Sequence, residues 1–303
     1  MNKRQVTNLP ASVHQRLLHL AKETNRPFNE LLQYYTMERF LFRLGNSPFA
    51  DRFVLKGALM LRVWDVAQAR PTMDIDLLGR TANTVENLVE IIQQCLLLKV
   101  EEDGIHFDTS SVSGEAIALE KTYQGVRVRV RGKLGNARLS LQLDFGFGDV
   151  VVPGPVWIEY PELLDFGSPH LLSYTAESVI AEKFQALVEL ELANTRLKDF
   201  YDLWKLSQTL TFDSEVLRAA LTATFQQRGT PLPTTIPLAL TEAFYDEPQR
   251  QAQWAGFVRR GRLEAEAKTL SEVAAAIAGF LLPLTTTENS VSKKHWSSGR
   301  GWQ

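Results

Sequence analysis

The sequence predicts an α+β fold, in which a mixed β-sheet flanked by helices is followed by a helical C-terminal domain. Three observations support this prediction. Residues 126–131 alternate strictly between valine and arginine, which is typical of a strand with one buried face. Apolar residues recur at helical spacing on both sides of that strand. After about residue 165, strand-like alternation gives way to helical patterns.

The length of the chain indicates more than one domain, because 303 residues exceed the ~100–200 residues typical of a single domain. We expect N-terminal helices over residues 1–50, a mixed core over 51–165 and a helical domain over 166–285. Residues 286–303 are polar and rich in serine, so we expect them to form a disordered tail.

Composition and charge exclude several classes of protein. Hydrophobic residues make up 45% of the chain and charged residues 22%, as in ordinary globular proteins. A net charge of −2 gives no overall attraction to nucleic acid, although residues 3–43 and 121–138 are locally basic. The single cysteine cannot form an intrachain disulfide, and no stretch resembles a signal peptide or a membrane-spanning helix. We therefore expect a cytoplasmic protein that does not bind membranes. The five histidines show no metal-ligand spacing, which argues against a zinc site.

The first part of the chain predicts four helices and two strands. Between Pro10 and Leu44 apolar residues recur at helical spacing, and Pro27 suits the first turn of the second helix. The apolar run 53–61 contains Gly57 and is interpreted as a short strand that turns into a helix. Residues 73–78 alternate like a strand, and 84–100 return to helical spacing.

The second part predicts a hairpin followed by helices. The alternating run 126–131, a turn near 132–137 and the alternating leucines at 139, 141 and 143 form the hairpin, with Asp144 directed away from the leucine face. Thr175 suits the cap of a helix that extends through Val188, and a second helix covers residues 196–210. The three prolines within 229–237 indicate a loop, and the apolar run 273–284 indicates a buried helix.

Three aspartates are the strongest candidates for chemistry. Asp74 and Asp76 are two residues apart on a strand, so both carboxylates project from the same face. Side-by-side carboxylates suit a hard divalent cation such as Mg²⁺ or Mn²⁺, although a solvated pair is the common alternative. Asp144, on a later strand, supplies a third carboxylate. Three such ligands can hold two ions that activate a hydroxyl and neutralise a triphosphate, which is the chemistry of nucleotidyl transfer.

Lys56, Gly57 and Ala58 precede the aspartate pair by a short helix's length. A glycine at such a position lets backbone amides approach a phosphate. A lone Lys-Gly pair is more often a simple turn, and the sequence contains no Walker A motif.

Four runs together give the chain a family resemblance. Residues 53–61, 70–77, 181–184 and 196–203 are similar to the motifs of AbiEii-type toxins, a group of nucleotidyltransferases of the DNA polymerase β-like superfamily found in type IV toxin–antitoxin systems. Ala58 departs from the usual small polar residue or glycine, which argues against a side-chain phosphate contact there. The resemblance implies a minimal nucleotidyltransferase fold with a helical C-terminal domain.

The resemblance also implies roles for individual residues. Asp74 and Asp76 would bind metal and act in catalysis, whereas Asp144 is a candidate metal ligand from its strand position alone. Lys183 would bind the nucleotide's phosphates and Asp199 would complete the catalytic site. The remaining contacts to the nucleotide would come from Lys56, Gly57, Ala58, Thr72 and Asp202. Without the family, Lys183 reads equally well as a surface lysine, and Asp199 and Asp202 as partners in helix ion pairs with Lys198. We expect Lys205 to be exposed.

The resemblance implies a nucleoside triphosphate as substrate, a role in phage defence and a cognate antitoxin protein encoded alongside. The implied acceptor is RNA, in particular the tRNA 3′ end. Arg127, Arg129 and Arg131 occupy the face opposite the valines and are candidates for acceptor binding, although a solvated face paired with acidic neighbours is the alternative. Two other functions remain open: nucleotidylation of a protein or small molecule, and a nucleotide-binding module that has lost catalysis.

Overall fold

The computed structural model describes residues 8–67, 69–118, 124–264, 268–285 and 295–303. The chain divides into two compact units. Unit 1 comprises residues 1–63, 71–148 and 156–173, and unit 2 comprises 64–70, 149–155 and 174–303. The N-terminal helices and the mixed core, which we expected as separate regions, thus belong to one unit. The last boundary between the units follows residue 173, whereas we expected it near residue 165.

Unit 1 begins with two long helices whose ends are visible in the sequence. Asn8 accepts a hydrogen bond from the Ala11 amide at the start of the first helix, and Thr84 caps a later one by accepting from Asn87. Pro27, which we expected in the first turn of the second helix, is instead the residue just before that helix. The helices are α1 (Leu9–Thr24), α2 (Phe28–Gly45), the short α3 (Met60–Val63) and α4 (Val85–Leu97).

The sheet of unit 1 has seven strands in the order β3-β4-β5-β2-β1-β7-β6. The pairs β2–β5 and β1–β7 are parallel and the other pairs are antiparallel, so the sheet is mixed. Helix α4 packs on β3 and β4, and α2 packs on β5 and β7. The predicted mixed sheet flanked by helices is confirmed. The strands are β1 (Phe53–Lys56), β2 (Ile75–Gly79), β3 (Ile105–Ala118), β4 (Gln124–Leu134), β5 (Ala137–Phe147), β6 (Val156–Glu159) and β7 (His170–Ser173).

The β4–β5 hairpin confirms the clearest strand prediction. Val126, Val128 and Val130 are buried, as are Leu141 and Leu143 on the paired strand. The valine and leucine faces therefore form part of the core of unit 1, and the alternating polar residues lie on the opposite face.

Unit 2 is built from helices and one small sheet. Thr175 caps the first helix by accepting from the Ser178 amide, and the apolar run 273–284 lies in the last helix, as predicted. The helices are α5 (Ala176–Leu190), α6 (Leu197–Thr209), α7 (Ser214–Gln227), the short α8 (Glu242–Tyr245), α9 (Pro248–Gly261) and α10 (Leu270–Thr285). Strands β8 (Phe212–Asp213), β9 (His295–Ser297) and β10 (Gly301–Trp302) form the sheet, in the order β10-β9-β8.

The expectation of a disordered tail over 286–303 is wrong for residues 295–303, which form β9 and β10; residues 286–294 lie outside the described residues. Trp296 and Trp302 explain the difference, because both rings pack against Phe280. Their indole N–H groups donate to the carbonyl oxygens of Ser207 (2.7 Å) and Phe280 (2.9 Å). Two buried tryptophans with satisfied donors anchor an otherwise polar segment.

Across the part of the chain that the structure describes, no helix combines the length and apolar character needed to cross a bilayer.

Candidate active site

A row of charged residues crosses the sheet of unit 1. In the strand register, Lys56 lies opposite Asp76, Asp76 opposite Asp144, and Asp144 opposite Arg127. Glu115 on β3 extends the row beyond Arg127. Directly opposed residues share one face of a sheet at a strand spacing of ~4.8 Å, so these five side chains lie on the same face. Two carboxylates at the centre of the row are thus flanked by a cation on each side.

Asp74 completes a carboxylate cluster at the centre of this row. Asp74, Asp76 and Asp144 each offer an oxygen, and these oxygens all lie within 4.8 Å of one another. Asp144 is buried and the other two are half-buried. Carboxylate oxygens at such separations are the ligands that Mg²⁺ and Mn²⁺ prefer, so the donor set fits a divalent cation.

Gly57 lies so close to Asp76 that there is no room for a side chain at this position. Its φ is +74°, and a Cβ at this position would lie 2.0 Å from Oδ2 of Asp76. Gly57 begins a short 3₁₀ turn (Gly57–Leu59) in which Ala58 is buried. The contact that the structure shows for this glycine is therefore with a candidate metal ligand.

We expect Gly57→Ala to displace the Asp76 carboxylate and to lower both nucleotidyl transfer and stability. The left-handed φ alone costs roughly 1 kcal/mol with a side chain. Gly229→Ala is a matched control, since Gly229 has φ +64° with nothing within 4 Å of an added Cβ. Melting temperature and transfer rate should fall further for Gly57→Ala than for Gly229→Ala. Equal losses in the two variants would mean that the contact with Asp76 has no consequence.

Helix α2 and Thr72 fix the segments that carry the aspartates. The Thr72 hydroxyl donates to Oδ1 of Asp74 (2.6 Å), and the Thr72 amide donates to the Tyr34 hydroxyl (3.2 Å). The side-chain amide of Gln33 donates to the backbone carbonyl oxygens of Met73 (3.0 Å) and Ser140 (3.1 Å). Met73 precedes Asp74, and Ser140 lies on the same strand as Asp144. Thr72 was predicted to contact the nucleotide, whereas its hydroxyl is engaged with Asp74. Sequence reasoning missed Gln33, because nothing in the pattern of α2 distinguishes it.

Arg127 is tied to the carboxylate cluster. Its Nε and Nη2 donate to Oδ1 and Oδ2 of Asp144, both at 2.7 Å. These hydrogen bonds raise the pKa of Arg127 above its ordinary value. Arg129 instead pairs with Glu115 at 2.7 Å, with both side chains about half exposed, and Arg131 is exposed. The three predicted acceptor-binding arginines thus differ in their surroundings: Arg127 and Arg129 form ion pairs, and Arg131 lies opposite Asp108 in the strand register. Acidic neighbours of this kind are what the alternative interpretation required.

The predicted residues of the helical region form a second charged cluster, within unit 2. Lys183 Nζ donates to Asp199 (2.6 Å) and lies 2.8 Å from an oxygen of Asp202. Arg70 donates to both oxygens of Asp202, each at 2.9 Å, and Arg196 lies 2.6 Å from Asp199. Cations and carboxylates therefore alternate along this chain of contacts.

The charges of this cluster stabilise one another. Burial alone would lower the pKa of Lys183, but Asp199 and Asp202 outweigh it and raise the pKa above its ordinary value. Burial would likewise raise the pKa of Asp199, yet Lys183 and Arg196 lower it to about 2. Because this folded-state pKa is depressed from 3.8, the stability it contributes is present at neutral pH and lost as the pH falls toward about 2.

These contacts contradict the interpretation of Lys183 as a surface residue. Lys183 is buried and is not a surface lysine, whereas Lys198 is exposed. Lys205 is also buried, contrary to our expectation. The Arg196–Asp199 pair has i, i+3 spacing and is visible in the sequence, whereas Arg70 and Asp202 are 132 residues apart and no local pattern relates them.

Comparison with known proteins adds a family match. The model of a family described as "Nucleotidyl transferase AbiEii toxin, Type IV TA system" matches residues 39–276, which include both charged clusters. No curated protein matches the chain. Among solved structures, the MenT4 nucleotidyltransferase toxin from Mycobacterium tuberculosis H37Rv is 16% identical, with a TM-score of 0.49 over 88% of this chain and 93% of that one. JHP933 from Helicobacter pylori is also 16% identical, with a TM-score of 0.44 over 82% of this chain and 88% of that one.

Proposed function

Because the chain belongs to the AbiEii family of nucleotidyl transferase toxins of type IV toxin–antitoxin systems, we propose that it transfers a nucleotide from a nucleoside triphosphate to RNA. The preferred acceptor in this proposal is the tRNA 3′ end, and the reaction requires Mg²⁺ or Mn²⁺. The observation that carries the metal requirement is the cluster of Asp74, Asp76 and Asp144. The acceptor's hydroxyl oxygen forms a bond to the α-phosphorus, the bond to pyrophosphate breaks, and the hydroxyl proton is released.

In this proposal the residues of unit 1 hold the metal. A divalent ion bound by the three aspartates would neutralise triphosphate charge and activate the acceptor hydroxyl. Thr72 fixes the carboxylate of Asp74, and Gly57 leaves room for that of Asp76. Lys56, opposite Asp76 in the register, remains our candidate for a nucleotide contact, together with the backbone at Gly57 and Ala58.

Lys183 is proposed to bind the phosphates of the nucleotide, as the family resemblance implies. Its contacts support different roles for the two aspartates beside it. We infer that Asp199 and Asp202 act on Lys183, keeping its ammonium group charged and in place. They are then positioning residues, rather than the catalytic and nucleotide-binding groups that we expected from the sequence.

The acceptor is proposed to bind at the exposed arginines of β4. Arg129 and Arg131 are alternate residues on one face, about 6.5–7 Å apart, which is close to the spacing of phosphates along a nucleic-acid strand. They follow Arg127 along β4 and thus lead away from the aspartates. The basic N-terminal stretch is the weaker candidate, because Arg39 and Arg43 within it are buried against Glu38 and Asp103.

We expect Arg129→Gln combined with Arg131→Gln to weaken RNA binding and to flatten its dependence on salt. Each lost phosphate contact should reduce the log–log slope by ~0.7 on a single strand. Arg259→Gln combined with Arg260→Gln removes two exposed arginines from α9 and serves as the control. A slope that is the same in both double variants and in the unaltered protein would place the acceptor elsewhere.

The decisive experiment for the function is a transfer assay with each labelled nucleoside triphosphate, Mg²⁺ and a total cell extract. Label in the tRNA fraction supports the proposal, whereas label in protein or in a small molecule would replace RNA with that acceptor. Binding of triphosphate without any transfer would indicate a module that has lost catalysis. The proposal includes a cognate antitoxin, a separate protein encoded alongside.

A further inference from the structure

Arg127 occupies a position in which it must influence any metal at the aspartate cluster. Its guanidinium contacts both oxygens of Asp144, so neither oxygen is without a hydrogen bond in this state. The Arg127 side chain is 29% exposed and that of Asp144 is 7% exposed, so solvent screens the pair only partly. Such a bidentate pair is geometrically specific and stronger than a single contact.

A cation bound by Asp144 would have to share or replace one of these contacts. The three carboxylate oxygens of the cluster lie within 4.8 Å of one another, so an ion held among them would also be close to the guanidinium. Two positive groups that use the same carboxylate repel each other. Without the arginine, the three carboxylates would repel one another in the metal-free protein, which favours binding of a cation.

We propose that Arg127 is a built-in counter-ion of the cluster, which neutralises Asp144 in the metal-free protein and competes with the divalent ion for that carboxylate. Arg127 thereby sets the metal affinity of the site instead of binding the acceptor. The inference rests on the proposed function, because it concerns the same aspartates. The inference gives Arg127 a different role from Arg129, although both residues lie on one face of β4.

The test measures binding of Mn²⁺ without nucleotide, from the electron paramagnetic resonance signal of the free ion. Arg127→Gln should tighten Mn²⁺ binding about tenfold, as the loss of a coupled charge implies. Arg127→Lys keeps the charge but loses the bidentate geometry, so its Mn²⁺ affinity should lie between those of Arg127→Gln and the unaltered protein. This variant provides a second measurement if Arg127→Gln folds poorly. Arg129→Gln is the control for Mn²⁺ affinity, since Arg129 pairs with Glu115.

A double-mutant cycle shows whether the effect acts through Asp144. In a background of Asp144→Asn, Arg127→Gln should tighten Mn²⁺ binding much less than it does when Asp144 is present, because only the repulsion between the guanidinium and the ion is then removed. Unchanged or weaker binding in the single variant Arg127→Gln would overturn the inference while leaving the metal site in place. If the unaltered protein does not bind Mn²⁺, or if Asp76→Asn does not weaken that binding, the metal site itself is wrong and the inference fails with it.

Discussion

Asp76→Asn is expected to abolish nucleotidyl transfer and toxicity while the protein stays folded. The change removes the charge of a central carboxylate and keeps the size of the side chain beside Gly57. Loss of metal-based stabilisation worth ~4 kcal/mol corresponds to about a 10³-fold lower rate. Stability should be unchanged or slightly higher, because the substitution relieves repulsion among three carboxylates. Transfer of labelled nucleotide, growth arrest and melting temperature measure the three effects.

The control for this variant is Asp51→Asn, the same chemical change at an exposed residue just before β1. It should retain transfer and toxicity, since surface substitutions usually change stability by no more than ~0.5 kcal/mol. A well-folded Asp76→Asn protein that transfers nucleotide at the normal rate would exclude the metal mechanism. Its melting temperature decides whether a loss of transfer reflects chemistry or unfolding.

The parts of the fold that could be predicted are those with a strong local pattern. The alternation over 126–131 predicted a buried valine face. The Asp-x-Asp spacing predicted two neighbouring carboxylates, and these do lie together, although Asp74 directly precedes β2 instead of lying on it. Strand β3 was missed because its pattern is interrupted. The pairing of β3 with β4 shifts register between Asp108 and Ser113, and the irregularity breaks the alternation that identifies a strand.

The contacts that could not be predicted join residues far apart in the sequence. Alternation places Arg127 and Asp144 on polar faces, but only the hairpin register brings them opposite each other. The sequence suggested a row of similar arginines, whereas the structure gives Arg127 a carboxylate of the metal cluster and gives Arg129 a glutamate. Charge patterns along one strand reveal its faces, and the partners depend on neighbouring strands.

Lys183→Ala is expected to have two effects, on catalysis and on stability. A lysine that neutralises triphosphate charge should contribute about 10²-fold to kcat/KM, comparable to a single stabilising donor in other enzymes. Its removal also takes one cation from between Asp199 and Asp202, both of which are buried. Arg70 and Arg196 still contact these carboxylates, so we expect a loss of ~1–3 kcal/mol in the free energy of unfolding rather than complete unfolding.

Two variants separate the catalytic effect from the structural one. Lys198→Ala removes an exposed lysine from the same helix as Asp199 and should change neither kcat/KM nor melting temperature. Arg70→Gln takes a different cation from the same cluster and should destabilise the protein while Lys183 is still present. If Lys183 binds phosphate, the KM for triphosphate should rise more in Lys183→Ala than in Arg70→Gln when both proteins are assayed well below their melting temperatures. Equal KM values in these two variants would mean that Lys183 serves only the ion pairs of unit 2. The phosphate-binding role would then pass to Lys56, which lies opposite Asp76 in the sheet.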